Sequence, residues 1–183
     1  MPRSALVLWL GAIAAACALL PPGEAPAPAS QESFEVSARV AVRFGEKSAT
    51  GRIQWRHSAA EDDMLITSPL GQGIARIQRR ADEFELVTAD QRRYIASDAE
   101  ALTEAVLGWR LPLAGLSDWV RARARSGSPA RSLRDDRNRV VELDQDDWRI
   151  EYQDYEGERP SKLRLIRDGL EIRMVVDQWQ AAR

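Results

Sequence analysis

The chain has 183 residues, 26 of them basic and 28 acidic, with a single cysteine and a single histidine. That length holds one folded domain, and a formal charge of -2 excludes the broadly basic surface by which proteins hold nucleic acid. One thiol excludes an internal disulfide, and one histidine with no spare thiol leaves almost no ligands for a transition metal.

The first element is an address. Arg3 supplies a positive start, and the uncharged apolar run Ala5 to Ala16 follows. It is shorter than the roughly 20 apolar residues a membrane-crossing helix needs, and it ends on Ala14, Ala15 and Ala16, as an export signal does. Cys17 then stands where a bacterial lipoprotein signal is cut, and the segment resembles a lipobox, with Ala14 where leucine is usual. Cys17 is expected to become the first residue of the mature protein, carrying an N-acyl group and an S-diacylglycerol lipid. The alternatives are ordinary cleavage near Ala16, which leaves a free thiol, and an uncleaved anchor running through Leu20. Pro21, Pro22, Pro26 and Pro28, set among Ala, Gly and Ser, favour an extended spacer. The expected organisation is a signal peptide over 1–16, a lipidated tether over 17–33 and one domain over 34–183. Ala18 is not the aspartate that retains many lipoproteins at the inner membrane, which points by analogy to the outer one.

From Phe34 the pattern has a period of two. Phe34, Val36, Ala38, Val40, Val42 and Phe44 alternate with Glu35, Ser37, Arg39 and Arg43, the mark of a half-buried strand. "GEK" is a turn, and "ATGRIQWRH", "DMLITS", "GIARIQRR", "EFELVTA" and "RRYIAS" continue as strands. After residue 130, "ARSL", "NRVVELDQ", "WRIEYQDY", "SKLRLIR" and "LEIRMVVDQW" do the same. About eleven strands with short polar turns make a barrel or a sandwich. Between the two runs, Asp98 is a candidate N-cap for a helix carrying Leu102, Val106 and Trp109, ended by Gly108 and Pro112. Leu116, Trp119 and Val120 indicate a second helix. Two short helices inserted in a β chain cap an open end of the sheet.

Catalytic chemistry is missing. His57 is expected at a solvated strand end, and no G-x-S-x-G elbow or glycine-rich phosphate loop occurs. Asp62-Asp63 and Asp135-Asp136 are expected in turns, where acidic residues are usual. No enzyme activity and no cofactor are expected. The tryptophans stand out: Trp55, Trp109, Trp119, Trp148 and Trp179 follow the signal, and they either fill a core or line an apolar pocket. In "ITSPLGQGIARI", Pro69, Leu70 and Gly71 form a turn, with Leu70 either facing water or folded back into the core. Seven arginines between Val120 and Val140 read as a solvated loop, or as a contact for lipid phosphates or an acidic partner.

These pieces together resemble one family. "TGRIQW", "SPLGQ", "YIASDAEALTEAVLGWRLPLAGLSDWV", "DQDDWRIEYQDY" and "LEIRMVVDQW" occur in the order seen in the LolB family, outer-membrane lipoprotein receptors of the lipoprotein-localisation pathway. Two places depart from it: Ala38 where the first strand often has glycine, and "VRARARSGSP" where a compact G-x-P is usual. The resemblance implies an incomplete antiparallel barrel of about eleven strands, with short α-helices covering its concave side. It implies a lipid-anchored, monomeric protein on the periplasmic face of the outer membrane. Its partners would be a LolA-like periplasmic carrier, acylated lipoprotein cargo and outer-membrane lipid, with no nucleic acid. Cys17 would hold the receptor's own lipid, and Pro69, Leu70 and Gly71 would touch the membrane. Val40, Val42, Trp55, Leu102, Val106, Trp119, Trp148 and Met174 are the residues expected around the cavity for acyl chains. Two rivals keep the fold but change the role. A soluble carrier would have an unlipidated amino terminus, and an assembly lipoprotein would have a solid core.

Overall fold

The computed structural model describes residues 33–181 other than residue 82. Cys17, the apolar run before it and most of the tether lie outside the described residues.

The strands are β1 (Phe34–Phe44), β2 (Lys47–His57), β3 (Glu61–Thr67), β4 (Gly73–Arg80), β5 (Glu83–Thr88) and β6 (Arg93–Ala96) in the first half of the chain. Helices α1 (Ala99–Leu107) and α2 (Leu113–Trp119) follow, then β7 (Ala130–Arg134), β8 (Val140–Gln145), β9 (Trp148–Glu156), β10 (Arg159–Arg167) and β11 (Leu170–Ala181). All eleven strands form one antiparallel sheet in the order β6-β5-β4-β3-β2-β1-β11-β10-β9-β8-β7. The first and last strands of the chain are therefore neighbours at the centre, and β6 and β7 are the two edges. To pass from one edge to the other the chain must cross the sheet, and α1 and α2 are laid over the concave side on the way. The eleven-strand half-barrel with covering helices is the architecture expected from the sequence.

Local chemistry explains the breaks. The Asp98 carboxylate accepts the backbone N–H groups of Glu100 (2.9 Å) and Ala101 (3.1 Å), satisfying donors that the first turn of α1 leaves free. Gly108 ends α1 with φ +86°, a conformation that costs glycine nothing. The β8–β9 hairpin turns on Asp146 and Asp147, both with positive φ, as tight hairpins require. The expected "GEK" turn is shorter than its motif, because Lys47 already belongs to β2. Against β11, Ser37 pairs with Gln178 but Ala38 pairs with Val176, so Asp177 is an extra residue. Such a bulge bends the strand and helps the sheet curl. Residue pairing also fixes the ends: Phe34 lies opposite His57, whereas Thr67 lies opposite Arg52. The β3–β4 turn therefore leaves the sheet in the direction away from Phe34.

Three sequence expectations are corrected by this register. His57 is buried, not solvated: its ring lies 4.8 Å from that of Phe34, and its Nδ1 is 2.6 Å from an Asp62 oxygen. Asp62 and Asp63 sit inside β3, not in a turn, each meeting an arginine of β4. The arginine-rich stretch is partly spent inside the molecule. Arg125 binds Asp146 (2.8 Å), Arg139 binds Asp135 (2.7 Å), and Arg121 lies over the Phe34 ring (5.4 Å). Asp135 keeps its expected turn role, accepting the backbone N–H groups of Arg137 and Arg139 at 2.9 Å each.

An apolar hollow under two helices

The floor of the site is built by cross-strand neighbours. Val40 lies opposite Met174 on β11 and Gly51 on β2, and Val42 lies opposite Ile172 and Ala49. All six inward positions follow from the two-residue period. Small residues at 49 and 51 leave the floor low. Gly51 cannot be larger, because a Cβ there would meet the Thr67 carbonyl oxygen at 2.6 Å. Val106 and Leu107 from α1, Leu111 from the link and Leu113 and Leu116 from α2 form the roof. Between floor and roof is a space of about 290 Å³ with no charged side chain in its lining. A larger depression of about 530 Å³ exists, but Glu35, Arg56, Asp63 and Arg76 line it. Only the smaller one suits an apolar guest, since an ion facing a hydrocarbon chain is left without its water.

The roof is fixed firmly at one end. Trp119 Nε1 donates to Gln145 Oε1 (2.9 Å), and the Tyr152 hydroxyl donates to the Trp119 carbonyl (2.8 Å), tying the end of α2 to β8 and β9. Burial pushes the Tyr152 hydroxyl well up from its ordinary range, so it stays a donor. At the other end, α1 meets β10 through the Arg167–Glu100 ion pair (2.6 Å). Inside the roof, Thr103 Oγ1 donates to Ala99 O (3.0 Å) and accepts from Leu111 N–H (2.9 Å), which folds the link back on α1.

Of the residues expected around the cavity, Val40, Val42, Val106 and Met174 line it, while Trp55, Leu102, Trp119 and Trp148 do not. The three tryptophans go where their rings find packing partners, and the N–H groups of Trp55 and Trp119 also find acceptors, while that of Trp148 meets none among the described residues. Trp55 donates to Asp62 (2.9 Å) and sets its edge against Phe34, 5.0 Å between ring centres. Trp119 and Trp148 pack on each other at 6.3 Å, and the Arg167 guanidinium covers the Trp148 ring at 4.6 Å. Leu102 is buried in the core on α1, which packs on β5 and β6. The lining residues not foreseen include Met64, Ile66, Ile74 and Trp109. The alternation of β3 carried a signal for Met64 and Ile66, whereas Ile74 is out of phase with the buried Ala75 and Ile77 of β4. Trp109 had a local signal in its helical spacing from Val106, although it lies just past the Gly108 end of α1.

The Pro69-Leu70-Gly71 turn is held by backbone bonds: Ser68 N–H to Gln72 O (2.7 Å) and Gly71 N–H to Ser68 O (2.9 Å), with Gly71 at φ +87°. Leu70 is 89 % exposed. Of the two sequence readings, the water-facing one holds. Ile74, at the start of the next strand, lines the hollow, so turn and hollow share one rim.

A second polar cluster is structural. Asp62 receives Trp55 Nε1, His57 and Arg79 together. Burial alone would raise its carboxyl. Hydrogen bonds from His57, Arg79 and Trp55, with the attraction of His57, outweigh that and hold it below its ordinary 3.8. Among the described residues no group of three histidine, cysteine or acidic side chains is placed to hold a metal ion.

Residues 32–179 match the family described as outer membrane lipoprotein LolB. The outer-membrane lipoprotein LolB of Thiobacillus denitrificans is 38 % identical over 185 residues, with both chains fully covered. That of Nitrosomonas europaea is 37 % identical, covering 88 % of this chain and 79 % of its own, and that of an Azoarcus species is 34 % identical, covering 97 % and 94 %. Among solved structures, a LolA superfamily protein from Nitrosomonas europaea superposes with a TM-score of 0.54 at 12 % identity, covering 84 % of this chain and 87 % of that one. At that identity the likeness is one of fold. A match through nearly the whole folded domain, on a half-barrel roofed by two helices, places this chain in the LolB family of outer-membrane lipoproteins.

Proposed function

We propose that this protein is the outer-membrane receptor of the lipoprotein-localisation pathway. It takes acylated lipoproteins from a LolA-like periplasmic carrier into the hollow beneath α1 and α2, and releases them into the inner leaflet of the outer membrane. The observation that carries this reading is the uncharged, helix-roofed hollow of about 290 Å³. Each buried methylene is worth about 0.8 kcal/mol, so a chain of about 15 methylenes costs roughly 12 kcal/mol to expose to water. Cargo must therefore pass from one apolar enclosure to another and then into a bilayer. Such transfer makes and breaks no covalent bond.

The hollow lies near the lower limit of sites that hold a drug-sized molecule, about 300 Å³, and cargo with several acyl chains needs more. The roof can supply that room. Its α2 end is pinned through Trp119 and Tyr152, whereas α1 meets β10 through the Arg167–Glu100 pair. Lipidated Cys17 holds the receptor on the periplasmic face of the outer membrane, and Leu70 on the shared rim enters lipid as cargo leaves. A soluble-carrier role is disfavoured by family membership, and a solid-core assembly role by the hollow itself.

The test is transfer from loaded carrier. A cargo bearing a fluorescent acyl group should move onto the receptor and quench Trp109 emission, and Cys17→Ala should abolish membrane anchoring without abolishing uptake. No transfer to the folded receptor, or an acyl chain that leaves Trp109 emission unchanged, would sink the reading.

A further inference from the structure

The outer face of the sheet carries a second feature beside the Leu70 turn. Arg52, Arg39, Val175 and Lys162 occupy one row across β2, β1, β11 and β10, each opposite its neighbour in the register. With strands about 4.8 Å apart, the row is roughly 14 Å wide. Arg173, two residues before Val175, adds a fourth cation on the same face. These four, with Pro69 and Gln153, line a groove of about 380 Å³ that contains no carboxylate. The acids that pair with Arg39 and Arg173, which are Asp177 and Glu171, lie outside that lining. Asp154, cross-strand neighbour of Lys162, accepts the Tyr155 backbone N–H (2.8 Å). Among the described residues Arg52 and Lys162 have no ion-pair partner.

Two arginines set directly opposite one another, as Arg39 and Arg52 are, repel and weaken a sheet. An anion in the groove removes that cost. Pro69 forms one wall of the groove, and the 89 % exposed Leu70 comes next in the chain. An apolar tip followed by a belt of cations is the order in which a bilayer presents its own layers, acyl region first and phosphates outside it.

We propose that the groove of Arg39, Arg52, Lys162 and Arg173 binds the phosphate of an anionic membrane phospholipid and sets the depth and tilt at which Leu70 enters lipid. This rests on the reading that the Leu70 turn enters the membrane. The groove thus makes delivery depend on the headgroup composition of the receiving leaflet.

The test uses the full lipid-anchored chain with a polarity-sensitive fluorophore at Gln72→Cys, an exposed position. It is reconstituted in vesicles of phosphatidylcholine alone, or of phosphatidylcholine mixed with phosphatidylglycerol. The expected result is an apolar shift of the label that is larger with phosphatidylglycerol, and loss of that extra shift in Arg52→Gln/Lys162→Gln. The inserted-to-free ratio should fall about fivefold per cation, roughly 25-fold for the pair. Unchanged melting temperature in the double variant checks that the fold is intact. Equal insertion by parent and double variant in both vesicle types overturns the groove proposal and leaves the Leu70 reading standing. A label that stays in water with every lipid overturns the Leu70 reading itself. Displacement of the parent by millimolar inorganic phosphate, with no preference for phosphatidylglycerol, marks a soluble-anion site and also overturns the proposal.

Discussion

Under α2, Trp119, Trp148, Ile150 and Tyr152 pack with almost no exposed surface, and two of them anchor the helix through an N–H and an O–H. Under α1 and the link, Val40, Val42, Met174 and Val106 face an empty space and offer no polar atom at all. Both regions are apolar, yet one is solid and the other hollow. The difference lies in what each side chain needs. A buried indole N–H or phenol O–H usually takes a partner, and Trp119 and Tyr152 find theirs in Gln145 and a backbone carbonyl, whereas Trp148 is held by its ring contacts with Trp119 and the Arg167 guanidinium. An acyl chain offers no such partner, and the hollow proposed for it is lined mainly by aliphatic residues and methionine, with Trp109 at its roof.

The sharpest way to break this contrast is to remove a ring from the solid region. Trp119→Ala deletes a fully buried side chain and frees Gln145 from one of its bonds. A loss of about 3–5 kcal/mol is expected in denaturant unfolding, and a loss below about 1 kcal/mol would show that the region is not the anchor.

Asp62→Asn comes next. It removes the charge shared by His57 and Arg79 at the far end of the barrel, with an expected cost of about 1–3 kcal/mol at neutral pH. The sign of the pH effect follows from the lowered carboxyl. Stability from Asp62 is fully present above the ordinary 3.8 and is lost as pH falls through the lower folded value. The variant should therefore show a shallower acid limb below that pH, and parallel melting curves for both proteins would contradict the assignment.

Ala49→Phe tests the hollow. The ring enters space that nothing occupies, so stability should change by about 1 kcal/mol or less. Uptake of an acyl probe should nevertheless fall severely. Full uptake by this variant would mean that cargo binds elsewhere.

Leu70→Glu should have the smallest effect on folding, about 0.5 kcal/mol or less, because the side chain has almost no contact to lose. Its effect on release should be large, since a carboxylate resists entering lipid. Acylated cargo should accumulate on the receptor. Normal release into liposomes would remove the turn from the delivery step.

The strands and both helices were legible because their signals are local. The alternation in β1, the Asp98 cap and Gly108 each act within a few residues. The choice of tryptophans for the cavity failed for the opposite reason. Trp119 and Trp148 are turned inward as a lining residue would be, but the acceptor for Trp119 is Gln145, 26 positions away. Only the sheet order brings it near. His57 failed likewise: its position at the end of β2 is visible in the sequence, but its burial comes from Phe34 and Asp62 on the strands to either side. Leu70 stood open between two readings, and the bonded turn that holds it outward decides between them.

One consequence of the register concerns reach. Chain entry at Phe34 and the Leu70 turn lie toward opposite ends of the strands, separated along β2 by the five steps from His57 to Arg52, about 17 Å. If Cys17 carries the lipid as proposed, anchor and turn must reach one leaflet across that offset. The 17 residues of the segment 17–33 stretch at most about 60 Å, several times the offset. On the proposed reading, a leash of that contour length would let the domain pivot. One attachment point would then serve two postures, with the rim turned out to meet the carrier or turned down to set Leu70 against the bilayer.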